Sequence, residues 1–151
     1  MKPLKKGDQV PQFSAIKSDG TLFESQSIIG QKAIVIYFYP KDDTPGCTIE
    51  ACSFRDAYEQ FTDYGAEVVG ISADSEKSHS KFKEKYKLPF ILLSDKKNKI
   101  RKLFGVPNDL FGLLPGRATY VIDKNGIIQL VFDSVASKIH IKKALDILKE
   151  I

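Results

Sequence analysis

The sequence predicts an α/β domain on one central mixed sheet, parallel in its first half and closed by an antiparallel hairpin. Three observations carry that prediction. A strand-helix-strand pattern fills residues 33–72, an Asn125-Gly126 turn separates two apolar runs, and an amphipathic helix ends the chain. Length and composition agree with them. At 151 residues, 42% hydrophobic and 28% charged, the chain has the size of one domain, 1–151, and an ordinary globular composition. Disorder and fibrous repeats are excluded.

The segment from Phe13 to Phe23, bent across Ser18-Asp19-Gly20, reads as a small N-terminal β-hairpin at a sheet edge. Ala33 to Tyr39 is a continuous apolar, β-branched and aromatic run between Gly30 and Pro40, hence a strand buried on both faces. From Thr48 to Tyr64, Ile49, Cys52, Tyr58 and Phe61 recur at helical spacing among Glu50, Arg55, Asp56 and Glu59. Gly65 stops that helix, and Ala66 to Ser72 forms the next strand. Strand, helix, strand in this order makes the two strands parallel. Ser75 caps a second helix that runs through Phe82 and Tyr86 and stops before Leu88-Pro89. Phe90 to Leu93 is a short strand, and Lys97 to Phe104 a short helix closed by Gly105. Ala118–Ile122 and Ile127–Phe132 flank Asp123-Lys124-Asn125-Gly126, the strongest hairpin signal in the chain. The last helix starts near Lys138, with Ile139, Ala144, Leu145 and Leu148 on one face. This set fits a thioredoxin-like fold better than a purely parallel doubly wound sheet.

Charge and pattern then exclude several functions. Lys and Arg number 23 against 19 acids, a net +4, and the lysines are scattered rather than massed with aromatics. Nucleic acid is therefore not an expected partner. No run approaches the roughly 18 apolar residues of a membrane span. The basic opening Lys2-Pro3-Leu4-Lys5-Lys6 is followed by no apolar stretch, so no secretory signal is expected and the expected compartment is the cytoplasm. His79 and His140 lie far apart without ligand partners at metal-site spacing, which predicts surface histidines and no metal. Two cysteines are too few for a disulfide scaffold, yet Cys47 and Cys52 stand close together.

Chemistry is expected at Cys47. The strand ending at Tyr39 runs through Pro40-Lys41-Asp42-Asp43-Thr44-Pro45-Gly46 into Cys47, putting the thiol past the carboxyl end of a central strand, where α/β sheets bind ligands. A loop or first helical turn there offers unpaired N–H groups and partial positive charge, which favour a thiolate. Thr44 brings a hydroxyl that can donate and accept, Pro40 and Pro45 stiffen the loop, and Gly46 permits close approach to a ligand. Cys52 follows at i+5. On a regular helix the two Cα atoms would be roughly 8–9 Å apart, beyond the reach of about 7 Å for a disulfide. A bond between them therefore requires local unwinding, unlike a Cys-x-x-Cys pair. Glu50 reads as a solvated helical residue as readily as a partner for an arginine, and is left out of the site.

The run Pro40-Lys41-Asp42-Asp43-Thr44-Pro45-Gly46-Cys47 resembles the Pro-x-x-x-Thr-x-x-Cys signature of peroxiredoxins. With Ala51-Cys52 following, it is similar to the peroxiredoxin Q, or bacterioferritin comigratory protein, branch. The likeness extends over Leu4–Phe13, Gly70–Asp74, Leu92–Asp95 and Gly116–Asp123, and Asp109–Gly116 is closest to the plastid and cyanobacterial type. The resemblance implies a thiol-dependent peroxidase acting on hydrogen peroxide and alkyl hydroperoxides. In it Cys47 forms a sulfenic acid, Cys52 resolves that acid as an intramolecular disulfide, and thioredoxin recycles the enzyme. It also implies Thr44 and Arg117 as catalytic, Pro40, Thr44, Gly46 and Arg117 as substrate-binding, no cofactor, a monomer, and a processed organellar form as an alternative to the cytoplasm. A general thiol–disulfide oxidoreductase, a non-catalytic binding module and a cysteine acyl transferase are the competing readings.

Overall fold

The computed structural model describes residues 3–106, 108–109, 114–134 and 138–151. Its strands are β1 (Ser14–Lys17), β2 (Leu22–Glu24), β3 (Ala33–Phe38), β4 (Ala66–Ser72), β5 (Ile91–Ser94), β6 (Asn108–Asp109), β7 (Leu114–Pro115), β8 (Ala118–Ile122) and β9 (Ile128–Asp133). Its helices are α1 (Pro45–Asp63), α2 (Glu76–Tyr86), α3 (Lys99–Phe104) and α4 (Ile139–Leu148). Seven strands form one sheet in the order β2-β1-β5-β4-β3-β8-β9, and β6 pairs with β7 in a separate ribbon. β3, β4 and β5 are parallel, while β8 pairs antiparallel with β3 and β9 antiparallel with β8. The predicted hairpin β1–β2 forms and docks antiparallel on β5. This is the expected thioredoxin-like mixed sheet.

The period of two in β3 divides the core. Val35 and Tyr37, with Tyr39 just beyond the strand, face Phe54 and Phe61 of α1, Phe82 of α2 and Ala144 of α4. Ile34, Ile36 and Phe38 face Ile100 and Phe104 of α3 together with Phe13 and Phe23. Tyr37 stacks on Phe54 with ring centroids 4.5 Å apart. Its ring lies over Gly70 of β4, where a Cβ would come within 2.8 Å of it, so only glycine fits.

Several boundaries and faces differ from the expectation. α1 starts at Pro45, not Thr48, because proline suits the first helical position, where no N–H is needed. Its buried face is Cys47, Glu50, Ala51, Phe54, Ala57 and Phe61, which leaves Ile49 exposed. On α4, His140 and Ile141 turn inward and Ile139 outward. The turn between β8 and β9 is one residue longer than a two-residue Asn-Gly turn, with Asp123 N–H bonded to the Ile127 carbonyl. Gly126 takes φ +83° as a one-residue bulge after a type I turn closed by Gly126 N–H to the Asp123 carbonyl. Residues 110–113, within the stretch likened to the plastid type, lie outside the described residues.

Candidate active site

Thr44 is the N-cap of α1, with extended backbone, and its carbonyl accepts the first helical bond from Thr48 N–H at 2.8 Å. Its hydroxyl does not cap the helix but donates to the Lys41 carbonyl at 2.9 Å, which keeps the oxygen lone pairs available. Pro40 and Gly46 flank the loop, both half-buried. Cys47 falls in the first turn of α1, where backbone N–H groups have no partner within the helix. Its side chain is 2% exposed.

Arg117 enters from the start of β8, seventy positions away in the chain, and is 7% exposed. One terminal nitrogen, Nη2, donates to Cys47 Sγ at 3.4 Å, and the other, Nη1, to Glu50 Oε1 at 2.5 Å. The structure thus brings Cys47 and Arg117 together and adds Glu50, which sequence reasoning left out. Glu50 lies one helical turn after Cys47 on the same face, fully buried. The i, i+3 spacing from the cysteine was the available signal, but an isolated glutamate on a helix is usually solvated. Burial pushes the Glu50 carboxyl up to about 8, against the pull of Arg117. For Arg117 itself burial works against the charged form, but Glu50 and Cys47 outweigh it and raise its pKa.

Among the described residues three buried polar atoms here lack a hydrogen-bond partner: Glu50 Oε2, Arg117 Nε and the Tyr37 hydroxyl. Behind them His140 is also fully buried, correcting the expected surface position. Its Nδ1 faces the Thr119 hydroxyl at 2.7 Å and its Nε2 the Ser134 carbonyl at 2.7 Å, so Nε2 donates and Nδ1 accepts. Burial lowers the imidazole to about 4, consistent with that neutral tautomer.

The loop before Cys47 is anchored to α2 by the two aspartates of its own sequence. Asp42 accepts from the Tyr39 hydroxyl at 2.6 Å, the Ser78 hydroxyl at 2.8 Å and His79 Nδ1 at 2.7 Å. His79 Nε2 meets the Leu93 carbonyl at 2.9 Å, so this histidine too is buried, not on the surface. Asp42, Asp74 and His79 bring candidate ligand atoms within 4.8 Å of one another. Both His79 nitrogens are committed, however, and Asp74 Oδ2 accepts from Asp42 N–H and the Ser72 hydroxyl, so the cluster is a hydrogen-bonded knot. Asp43 takes φ +55° and holds Lys85 Nζ at 2.9 Å and the Tyr86 hydroxyl at 2.7 Å.

Cys52 is half-buried and, like Cys47, a free thiol. Because α1 is continuous through both positions, helix geometry separates their Cα atoms by roughly 8–9 Å, as expected from the spacing. Among the described residues no helix is long and apolar enough to cross a membrane.

Comparison with known proteins now decides the family. The model of the AhpC/TSA family matches residues 6–131. Peroxiredoxin Q, chloroplastic, of Sedum lineare is 53% identical over 149 residues, 98% of this chain and 80% of its own length. The chain belongs to the AhpC/TSA family, in its peroxiredoxin Q branch. Two solved structures agree with that placement. Peroxidoxin BcpB of Mycobacterium tuberculosis has a TM-score of 0.90 at 36% identity, covering 98% of both chains. The bacterioferritin comigratory protein of Xanthomonas campestris has a TM-score of 0.83 at 31% identity, covering 91% of this chain and 90% of its own. As a peroxiredoxin the chain is a peroxidase that takes peroxide substrates and thiol reductants.

Proposed function

We propose that Cys47 is the peroxidatic cysteine and that it reduces hydrogen peroxide and alkyl hydroperoxides. The contact of the Arg117 guanidinium with Cys47 Sγ is the observation that carries this reading. The Cys47 thiolate attacks the distal peroxide oxygen. The S–O bond forms, the O–O bond breaks, and the departing hydroxide or alkoxide takes up a proton to leave as water or alcohol. Negative charge moves onto that departing oxygen. Arg117 and the first-turn N–H groups of α1 face the developing charge, and the Thr44 lone pairs can accept from the peroxide O–H, forming a fixed polar frame bordered by Pro40 and Gly46. The unpartnered Arg117 Nε supports this, since a buried donor without a partner favours an arriving acceptor.

Cys52 then attacks the Cys47 sulfenic sulfur, an S–S bond forms and water leaves. This step needs the first turns of α1 to unwind, because the folded helix holds the two residues too far apart. A dithiol reductant, thioredoxin in our reading, reopens the bond by exchange. The alkyl peroxide reduction activity of the related Xanthomonas protein supports organic hydroperoxides as substrates. The chloroplastic names of the relatives favour a plastid setting over the cytoplasm. We also propose a monomer. The exposed large apolar residues are spread over β2, both ends of α1, the start of α4 and the C-terminus, and sedimentation velocity tests it.

Cys47→Ser is expected to abolish peroxide consumption, and retained turnover would rule out this nucleophile. Cys52→Ser is expected to trap the sulfenic acid. Two free thiols by mass spectrometry after wild-type oxidation would exclude the disulfide step. Oxidation should also raise amide exchange across 48–58, and equal protection in both redox forms would exclude unwinding.

A further inference from the structure

We propose that Arg101 is a positioning residue for the peroxidase reaction: its guanidinium clamps the two backbone segments that carry Cys47 and Arg117. The proposal rests on the assignment of those two residues above. β3 and β8 pair from Ile34↔Ile122 to Phe38↔Ala118, where the ladder stops. Beyond that point one segment continues through Tyr39 into the Cys47 loop, and the other arrives through Gly116 at Arg117. The catalytic pair therefore sits at a fork where pairing between β3 and β8 has ended, each prong being held only on its outer side, Tyr39 N–H by the Ile71 carbonyl and the Arg117 carbonyl by Ser134 N–H.

Arg101 spans that fork. It lies on α3, whose Ile100 and Phe104 pack on the sheet face opposite α1. Its Nη1 donates to the Gly116 carbonyl at 2.7 Å and its Nη2 to the Tyr39 carbonyl at 3.3 Å. One terminal nitrogen serves each prong, and the planarity of the guanidinium fixes the distance between them. The clamp is itself held in place. The Asp95 carboxylate accepts from the Ile100 and Arg101 backbone N–H groups at 2.8 and 2.9 Å, and the guanidinium carbon lies 5.7 Å from the Phe38 ring centroid. At 6% exposure Arg101 is a buried cation, and two of its hydrogen bonds go to backbone carbonyls on the two prongs. Lysine could keep the charge but, as a compact ammonium, could not hold two carbonyls at a set separation.

The test measures two steps in Arg101→Lys, Arg101→Met and Arg101→Ala. The first is the second-order rate of Cys47 oxidation, by stopped flow and thiol alkylation. The second is reduction of the preformed disulfide by dithiothreitol. Misplacing reacting groups by an ångström costs up to about a hundredfold, so oxidation should slow at least about tenfold in each variant. Disulfide reduction, which on the reading above starts with the first turns of α1 unwound and Cys47 away from Arg117, should keep its wild-type rate. Millimolar guanidinium should restore oxidation in Arg101→Ala. Equal loss in both steps, in parallel with a lower melting temperature and no rescue, overturns the positioning role, as does unchanged oxidation. If Arg101→Met fails to fold, Arg101→Lys decides by the same split. Arg117→Met is run alongside. If it oxidises normally the site assignment fails, whereas if it is slow and the Arg101 variants are normal only the clamp fails.

Discussion

Two buried polar clusters meet the loop 40–47, and they are finished to different degrees. In the Asp42–His79 knot both Asp42 oxygens accept from protein groups and both His79 nitrogens have partners. In the Cys47–Glu50–Arg117 cluster a carboxylate oxygen and a guanidinium nitrogen are buried without partners, beside the equally unpartnered Tyr37 hydroxyl. A satisfied buried network rigidifies its surroundings, whereas an unsatisfied one leaves donors and acceptors open to an arriving ligand. The contrast separates scaffold from chemistry within one short loop.

Removing Arg117 is the largest expected break in this contrast. Arg117→Met should slow Cys47 oxidation by about a hundred- to a thousandfold, as for other preorganised donors to a developing anion. Arg117→Lys should recover only part, because an ammonium cannot hold Glu50 and the sulfur at fixed positions. If stability falls steeply while the oxidation rate holds, this cluster is scaffold and the contrast is wrong.

His79→Ala should show the opposite pattern. Leaving the Asp42 carboxylate buried without its partner should cost about 3–5 kcal/mol in denaturant unfolding. The rate of the folded fraction should remain near wild type, and a loss of rate without a loss of stability would move His79 into the site.

Smaller effects come from pH. Glu50 titrates at about 8 in the fold against an ordinary value of 4.5, so the native state keeps a proton that the unfolded chain releases. That contribution is full below 4.5 and is lost as pH rises towards 8. Glu50→Gln should flatten stability across this window, and an unchanged slope would exclude the buried acid. His140 acts at the other end. Its value of about 4 against 6.5 means that stability falls as pH drops from 6.5 to 4, and His140→Gln should weaken that decline.

Much of the frame was legible. Short apolar runs bounded by Gly and Pro gave β4 to the residue and β3 to within one, and Ser75 does cap α2 through Ser78 N–H. Cys47 was legible because a cysteine in a Pro- and Gly-framed loop after a buried strand has few bland readings. Both histidines are buried against the expectation of surface positions, and Glu50, for which the sequence favours neither a solvated place nor an arginine partner, is buried on Arg117. The rule that isolated polar residues are solvated fails when partners come from distant segments. His79 meets Asp42 thirty-seven positions away, and Arg117 reaches Glu50 across sixty-seven.

The sequence alone determined most of the strands and helices, the place of Cys47 after a central strand and the i, i+5 spacing of Cys52 from it, since these depend on local backbone preference and period. Tertiary structure alone decided which face of α1 is buried, that Glu50 shares Arg117 with the sulfur, and that a second guanidinium bridges the fork between β3 and β8. The reason is that burial and hydrogen-bond pairing depend on how separate segments meet in space, and residue spacing along one segment does not specify that.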